Sequence, residues 1–119
     1  LDIFQPDIAY CGGITEFQKI NALASAAHAD VIPHCWGLKI NQAAAASAIS
    51  MIPENPGRFE RRPVFLEVDQ TEHPVRDKIF STAHDVIDGK LHFNDLPGLG
   101  VNVDELAMEP FVINTNAKD

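Results

Sequence analysis

The fold is decided by residues 1–37, LDIFQPDIAYCGGITEFQKINALASAAHADVIPHCWG. The apolar run of residues 1–8 is interrupted at Asp2 and Gln5 and predicts a strand. Pro6 cannot donate to a ladder, so the strand should end there. Tyr10, Cys11, Gly12 and Gly13 form a turn, and Thr15 followed by Gln18 carries a capping-box signature. Ile14, Phe17, Ile20, Ala24 and Ala27 then share one face of a helix predicted over 16–28. Residues 29–34, ADVIPH, give a second short strand, again closed by a proline, and Cys35, Trp36 and Gly37 turn the chain.

Outward from this unit the pattern repeats. Ile40, Ala44, Ser47, Ala48 and Met51 place a second amphipathic helix before Pro53. A polar loop follows over 54–62, then a third strand candidate over 63–68, PVFLEV. Residues 75–80 read as one helical turn or irregular chain. Val86 and Ile87 face Leu91, His92 and Phe93 across Asp88-Gly89, a two-residue hairpin signal. Pro97-Gly98-Leu99-Gly100 is a rigid turn, Asp104 caps a short helix over 105–108, and 114–119 read as a frayed tail. Strands alternating with helices predict βαβ units and a parallel sheet, hence an α/β fold. Three strands cannot close a barrel and leave open edges. With Leu1 already inside a strand, the expectation is a piece of a longer protein, completed by upstream chain or by another copy.

Acidic residues outnumber basic ones 17 to 9, a net charge of -8 that argues against nucleic acid. Arg58, Arg61 and Arg62 are the one basic cluster. No apolar run approaches the ~20 residues of a membrane span, so no membrane partner is expected. Cys11 and Cys35 lack a disulfide framework, and a reduced, cytoplasmic setting is the expectation.

Asp7, His34 and Glu67 end the three successive strand candidates, and in parallel α/β folds such ends converge on one mouth. Neighbouring strands lie ~4.8 Å apart, within reach of a hydrogen bond between Asp7 and His34. A carboxylate on one ring nitrogen fixes the tautomer and leaves the other nitrogen facing the mouth, the arrangement of a general base. Glu67 would reach the opposite side of a small substrate, and Trp36 would wall the pocket. Each residue also has a plain reading: a turn-stabilising Asp7, a structural His34, a solvated Glu67, a packing Trp36. Three polar termini on three consecutive strands favour the site. Gly12 and Gly13 before a helix are better explained as a turn than as an anion cradle. Cys11, His28, His34 and Cys35 lack zinc spacing. His73, His84 and His92 read as surface residues.

QPDIAYCGGITEFQKI with VIPHCWG, and FLEVDQTEHPVRD with DGKLHFNDLPGLGVNVDEL, resemble the barrel end and C-terminal segment of the enolase superfamily. The likeness is to the mandelate racemase branch of the mandelate racemase/muconate lactonizing enzymes, closest to its sugar-acid cycloisomerases and dehydratases. It implies the last three strands of a (β/α)7β TIM-like barrel over residues 1–74, and over 75–119 a segment packing on barrel and capping domain. It also implies that His34, oriented by Asp7, moves the proton α to a carboxylate while Glu67 hydrogen-bonds that carboxylate. The implied cofactor is Mg²⁺, with ligands upstream of this chain, so residues 1–119 alone should be nearly inactive. Implied partners are a sugar-acid substrate, the rest of the barrel with its capping domain, and further copies in a homo-oligomer. The competing expectation is a non-catalytic piece that associates with the remaining barrel or a partner chain.

Overall fold

The computed structural model describes residues 1–52, 63–82, 84–93 and 95–113. The chain opens with β1 (Ile3–Phe4), α1 (Ile14–Ala26), β2 (Asp30–Val31) and α2 (Lys39–Ile49). β1 and β2 are parallel, with Ile3 opposite Asp30 and Phe4 opposite Val31. Asp30, Ile32 and His34 donate in turn to the carbonyls of Asp2, Phe4 and Pro6 at 2.9, 3.0 and 3.2 Å. In this register the return bond to the Ile32 carbonyl would come from residue 6. Pro6 has no N–H to give, so the ladder thins there to a single parallel bridge between Asp7 and His34. The expected strand–helix–strand unit is present, with strands shorter than the apolar runs.

α1 starts earlier than the capping-box signature suggested. Its N-cap is Gly13, with φ 86° and ψ −171° and no side-chain cap bond, so Thr15 lies inside the helix. That backbone region is accessible essentially to glycine alone. The buried line of α1 is Phe17, Asn21 and Ala24, while Ile14 is exposed. Asn21 is satisfied by donating to the Met51 carbonyl at 3.2 Å.

α2 departs further from its predicted stripe. Ala43, Ala45, Ala46 and Ala48 are all buried, whereas Ile40 is 42% exposed. A helix that touches α1 on one side and β3 and β6 on another is covered nearly all round, so single-stripe periodicity misplaces its core face. Phe17, Ala24, Val31, Cys35, Ala45 and Ala48, with Ile8, form the core between helices and sheet.

The predicted third strand over 63–68 forms no ladder among the described residues. It runs beside the turn after β2, but the N–H groups of Cys35 and Gly37 go to the side-chain carboxylates of Glu67 and Asp69. Backbone carbonyls of a third strand therefore have no such donors to meet. The predicted loop over 54–62, with Arg58, Arg61 and Arg62, and the tail over 114–119 lie outside the described residues.

Beyond Glu67 the chain forms α3 (Pro74–Ile79), β3 (Phe80–Thr82), β4 (Asp85–Ile87), β5 (Lys90–His92), β6 (Val101–Val103), α4 (Glu105–Met108) and a 3₁₀ turn (Glu109–Phe111). β4 and β5 make the expected hairpin. Asp88 at φ 50° and Gly89 at φ 72° supply the two left-handed positions of a type I′ turn. Asp104 accepts from the Ala107 N–H at 3.0 Å and caps α4 as expected. Pairing of β3 with β6, Phe80 opposite Val103, was not anticipated. No described helix is long and apolar enough to cross a membrane.

Replacing Gly13 with Ala should cost about 1–3 kcal/mol, because no relaxed alternative exists for that backbone. Replacing Asp88 with Asn should be near neutral, since Asn tolerates the left-handed region. Denaturant midpoints of the two variants check this ordering.

Candidate active site

The buried Asp7 carboxylate sits at the point where the β1–β2 ladder thins. Its Oδ1 accepts the Ala9 N–H at 2.8 Å, and its Oδ2 lies 2.7 Å from His34 Nδ1. The Asn41 amide nitrogen, from the first turn of α2, approaches the two oxygens at 3.3 and 3.4 Å. Both oxygens are placed to accept from N–H donors, which makes Nδ1 the donor of the His34 pair; in the neutral ring that tautomer leaves the lone pair on Nε2. Asp7 is both turn-stabilising, through Ala9, and paired to the imidazole, so its two readings coexist.

His34 Nε2 points toward Glu67, whose Oε2 is 4.0 Å away; the two side chains are 44% and 43% exposed. Oε2 of Glu67 also accepts the Cys35 N–H at 3.0 Å. The sequence-derived residues Asp7, His34 and Glu67 therefore stand together, and the face that His34 and Glu67 share is half-open. Trp36 stands one turn residue further on, with 58% of its surface exposed.

Three participants were not singled out from the sequence. Asn41 is a polar residue of α2, and its place on the first turn after a strand-end histidine is the signal the sequence carries. Asp69 and Arg76 are the other two and form an ion pair. Oδ2 of Asp69 lies 2.8 Å from Arg76 Nη1, with side chains 7% and 11% exposed, and accepts the Gly37 N–H at 3.2 Å. The Thr71 hydroxyl and N–H bind the other oxygen at 2.7 and 2.8 Å. Thr71, then the Gly37 N–H and the guanidinium, hold the Asp69 carboxyl below the usual range. The Arg76 guanidinium also bonds Asp77 Oδ1 at 2.9 Å and the Thr71 carbonyl.

Cys35 is buried beneath this cluster. Burial pushes its thiol from 9.0 up to about 11, and the carboxylates of Asp7, Glu67 and Asp69 add to the rise. It is therefore a packing residue and not an activated nucleophile. Two of the expected surface histidines are engaged: His73 accepts from the Arg76 N–H at 3.2 Å to cap α3, and the half-buried His84 packs its ring 4.8 Å from that of Phe93. The Gly13 N–H is already bonded to the Ile8 carbonyl at 3.1 Å, which removes one donor from any anion cradle at α1. Among the described residues, no group of three or more His, Cys, Asp or Glu side chains is disposed to hold a metal ion.

Comparison with known proteins agrees with this architecture. The family model described as enolase C-terminal domain-like matches residues 1–107, and the chain belongs to that family. Its relatives are sugar-acid cycloisomerases and dehydratases of the enolase superfamily. The chain is 32% identical over 111 residues to D-galactarolactone cycloisomerase from Agrobacterium fabrum, covering 93% of this chain and 29% of that protein. It is 29% identical to arabinonate dehydratase from Saccharolobus solfataricus, again over 93% of this chain and 27% of the relative. The crystal structure of 3,6-anhydro-D-galactonate cycloisomerase from Zobellia galactanivorans superposes with a TM-score of 0.79 at 34% identity, covering 93% of this chain and 29% of the other. The chain thus spans under a third of the length of these relatives and corresponds to the C-terminal part of their barrel.

Two measurements follow from the surroundings of Asp7 and Cys35. Asn41→Ala should lower stability by about 1–2 kcal/mol, the cost of a buried carboxylate losing a donor, as read by chemical denaturation. Because Cys35 holds its proton more tightly folded than unfolded, its contribution is constant below pH 9.0. Stability should then fall as pH climbs from 9.0 toward about 11, and Cys35→Ala should flatten that decline in a pH series of melting temperatures.

Proposed function

We propose that this chain carries the general base of a sugar-acid lyase or isomerase that removes the proton α to the substrate carboxylate. One observation carries the reading: His34 Nδ1 is tied to Asp7 at 2.7 Å while Nε2 faces a half-open space bordered by Glu67. In the reaction the C–H bond breaks, the proton bonds to Nε2, and the electron pair moves into the carboxylate. Asp7 keeps the ring in the tautomer that receives the proton and offsets the positive charge the ring then carries. Glu67, anchored through Oε2 by the Cys35 N–H, would hydrogen-bond the substrate oxygen on which charge accumulates. Trp36 would lie along the substrate beside the imidazole. The similarity to sugar-acid cycloisomerases and dehydratases supports a polyhydroxylated acid as substrate.

A carboxylate's α-proton is too weakly acidic for an imidazole unless charge on the resulting enediolate is stabilised, and Mg²⁺ would supply that stabilisation. The described residues do not fit such an ion: Asp7, Glu67 and Asp69 are each bonded to N–H donors and do not converge as a group able to hold a metal. We assign the ion's ligands to carboxylates outside this chain. Residues 1–119 alone should accordingly be inactive.

The test uses the protein in which this segment stands with the rest of its barrel, a panel of sugar acids, Mg²⁺ and deuterated water. His34→Asn should slow α-proton exchange from one face by about 10²–10⁴-fold, and Asp7→Asn by roughly 10²-fold. Exchange at undiminished rates in both variants refutes the dyad.

A further inference from the structure

We propose that Asp69, locked by Arg76, is a positioning residue that sets where the Glu67 carboxylate stands relative to His34; the proposal rests on the catalytic assignment of those two residues above. Glu67 and Asp69 are two residues apart in an extended segment and so project to the same side. Their acceptors meet N–H donors that are likewise two residues apart, Cys35 at 3.0 Å and Gly37 at 3.2 Å. The pair replaces two rungs of a backbone ladder with two side-chain rungs. The rungs are unequal. The Glu67 side chain is 43% exposed, and a carboxylate held by one N–H can still turn about its own bonds. Asp69 is 7% exposed and immobilised from four directions, by the Gly37 N–H, the Thr71 N–H and hydroxyl, and the Arg76 guanidinium. Arg76 is in turn fixed by Asp77 and the Thr71 carbonyl at the start of α3. The buried rung therefore fixes the register in which the exposed one meets the Cys35 N–H. The Gly37 turn, which carries Trp36, is fixed by the same bond. Asp69 touches no reacting atom in this arrangement; it acts through Glu67.

The proposal is tested by a double-mutant cycle on α-proton exchange in the protein containing the whole barrel, with kcat, KM and melting temperature recorded for each variant. Because Glu67 would act on charge that develops during proton transfer, Asp69→Ala should lower kcat about tenfold or more with KM changed less than about threefold. In a Glu67→Gln background the same substitution should change kcat by less than about twofold, since there is no carboxylate left to position. Arg76→Lys, which keeps charge but loses the fork, should give an intermediate kcat, and Asp69→Asn, which keeps an acceptor for Gly37, should restore part of the loss. If Asp69→Ala does not fold, Asp69→Asn and Arg76→Lys complete the cycle. Equal losses of kcat in both backgrounds, or a lowered melting temperature with kcat unchanged, overturn the positioning role while leaving the general base intact. A Glu67→Gln variant with undiminished exchange overturns the assignment of Glu67 and this inference with it.

Discussion

Asp7 and His34 face each other across a parallel bridge at the place where Pro6 withdraws a donor from the ladder. From there onward side chains do the joining that backbone groups do in the preceding residues. The 2.7 Å contact between carboxylate and imidazole continues the line of bonds made by the 30, 32 and 34 N–H groups. Asn41 and the Ala9 N–H hold the carboxylate so that it cannot swing away from the ring. Without this contact the imidazole would have neither a defined tautomer nor a defined direction.

The same substitution of side chains for backbone occurs on the other flank. Glu67 and Asp69 bind the turn after β2 through its N–H groups, and a strand pairing that the residue pattern suggested is absent there among the described residues. The outcome is a cluster of three carboxylates around one thiol, two of them flanking one imidazole, with the Arg76 guanidinium as a countercharge at its buried edge. Cys35, enclosed by these anions, is kept in its neutral form.

Much of this was legible in the residues. The strand–helix–strand unit follows from apolar runs closed by Pro6 and Pro33, and the hairpin from Asp88-Gly89, because turn chemistry acts over two or three neighbours. The convergence of Asp7, His34 and Glu67 was legible because each ends an apolar run. The pairing of Phe80–Thr82 with Val101–Val103 was not, since three-residue strands with a distant partner leave no local signature. The N-cap at Gly13 was hidden behind a better-looking Thr15, since backbone conformation and not side-chain chemistry decided the matter. Asn41, Asp69 and Arg76 escaped notice because their importance lies in what they touch across the fold. The buried face of α2 was misjudged for a related reason: periodicity reports one covered side, and this helix has several.

That helix has a further consequence. Ala43, Ala45, Ala46 and Ala48 present little beyond backbone to their neighbours, so α2 acts as a spacer whose thickness is that of the bare helix. The β3–β6 pair contacts this spacer, and wherever its alanines form the contact the separation is set by main-chain radius and not by side-chain bulk. Such a gauge is rigid in one direction only. It can be thickened by a single added methyl group but hardly thinned, so the gap it maintains between the site-bearing layer and the C-terminal layer is already close to its minimum.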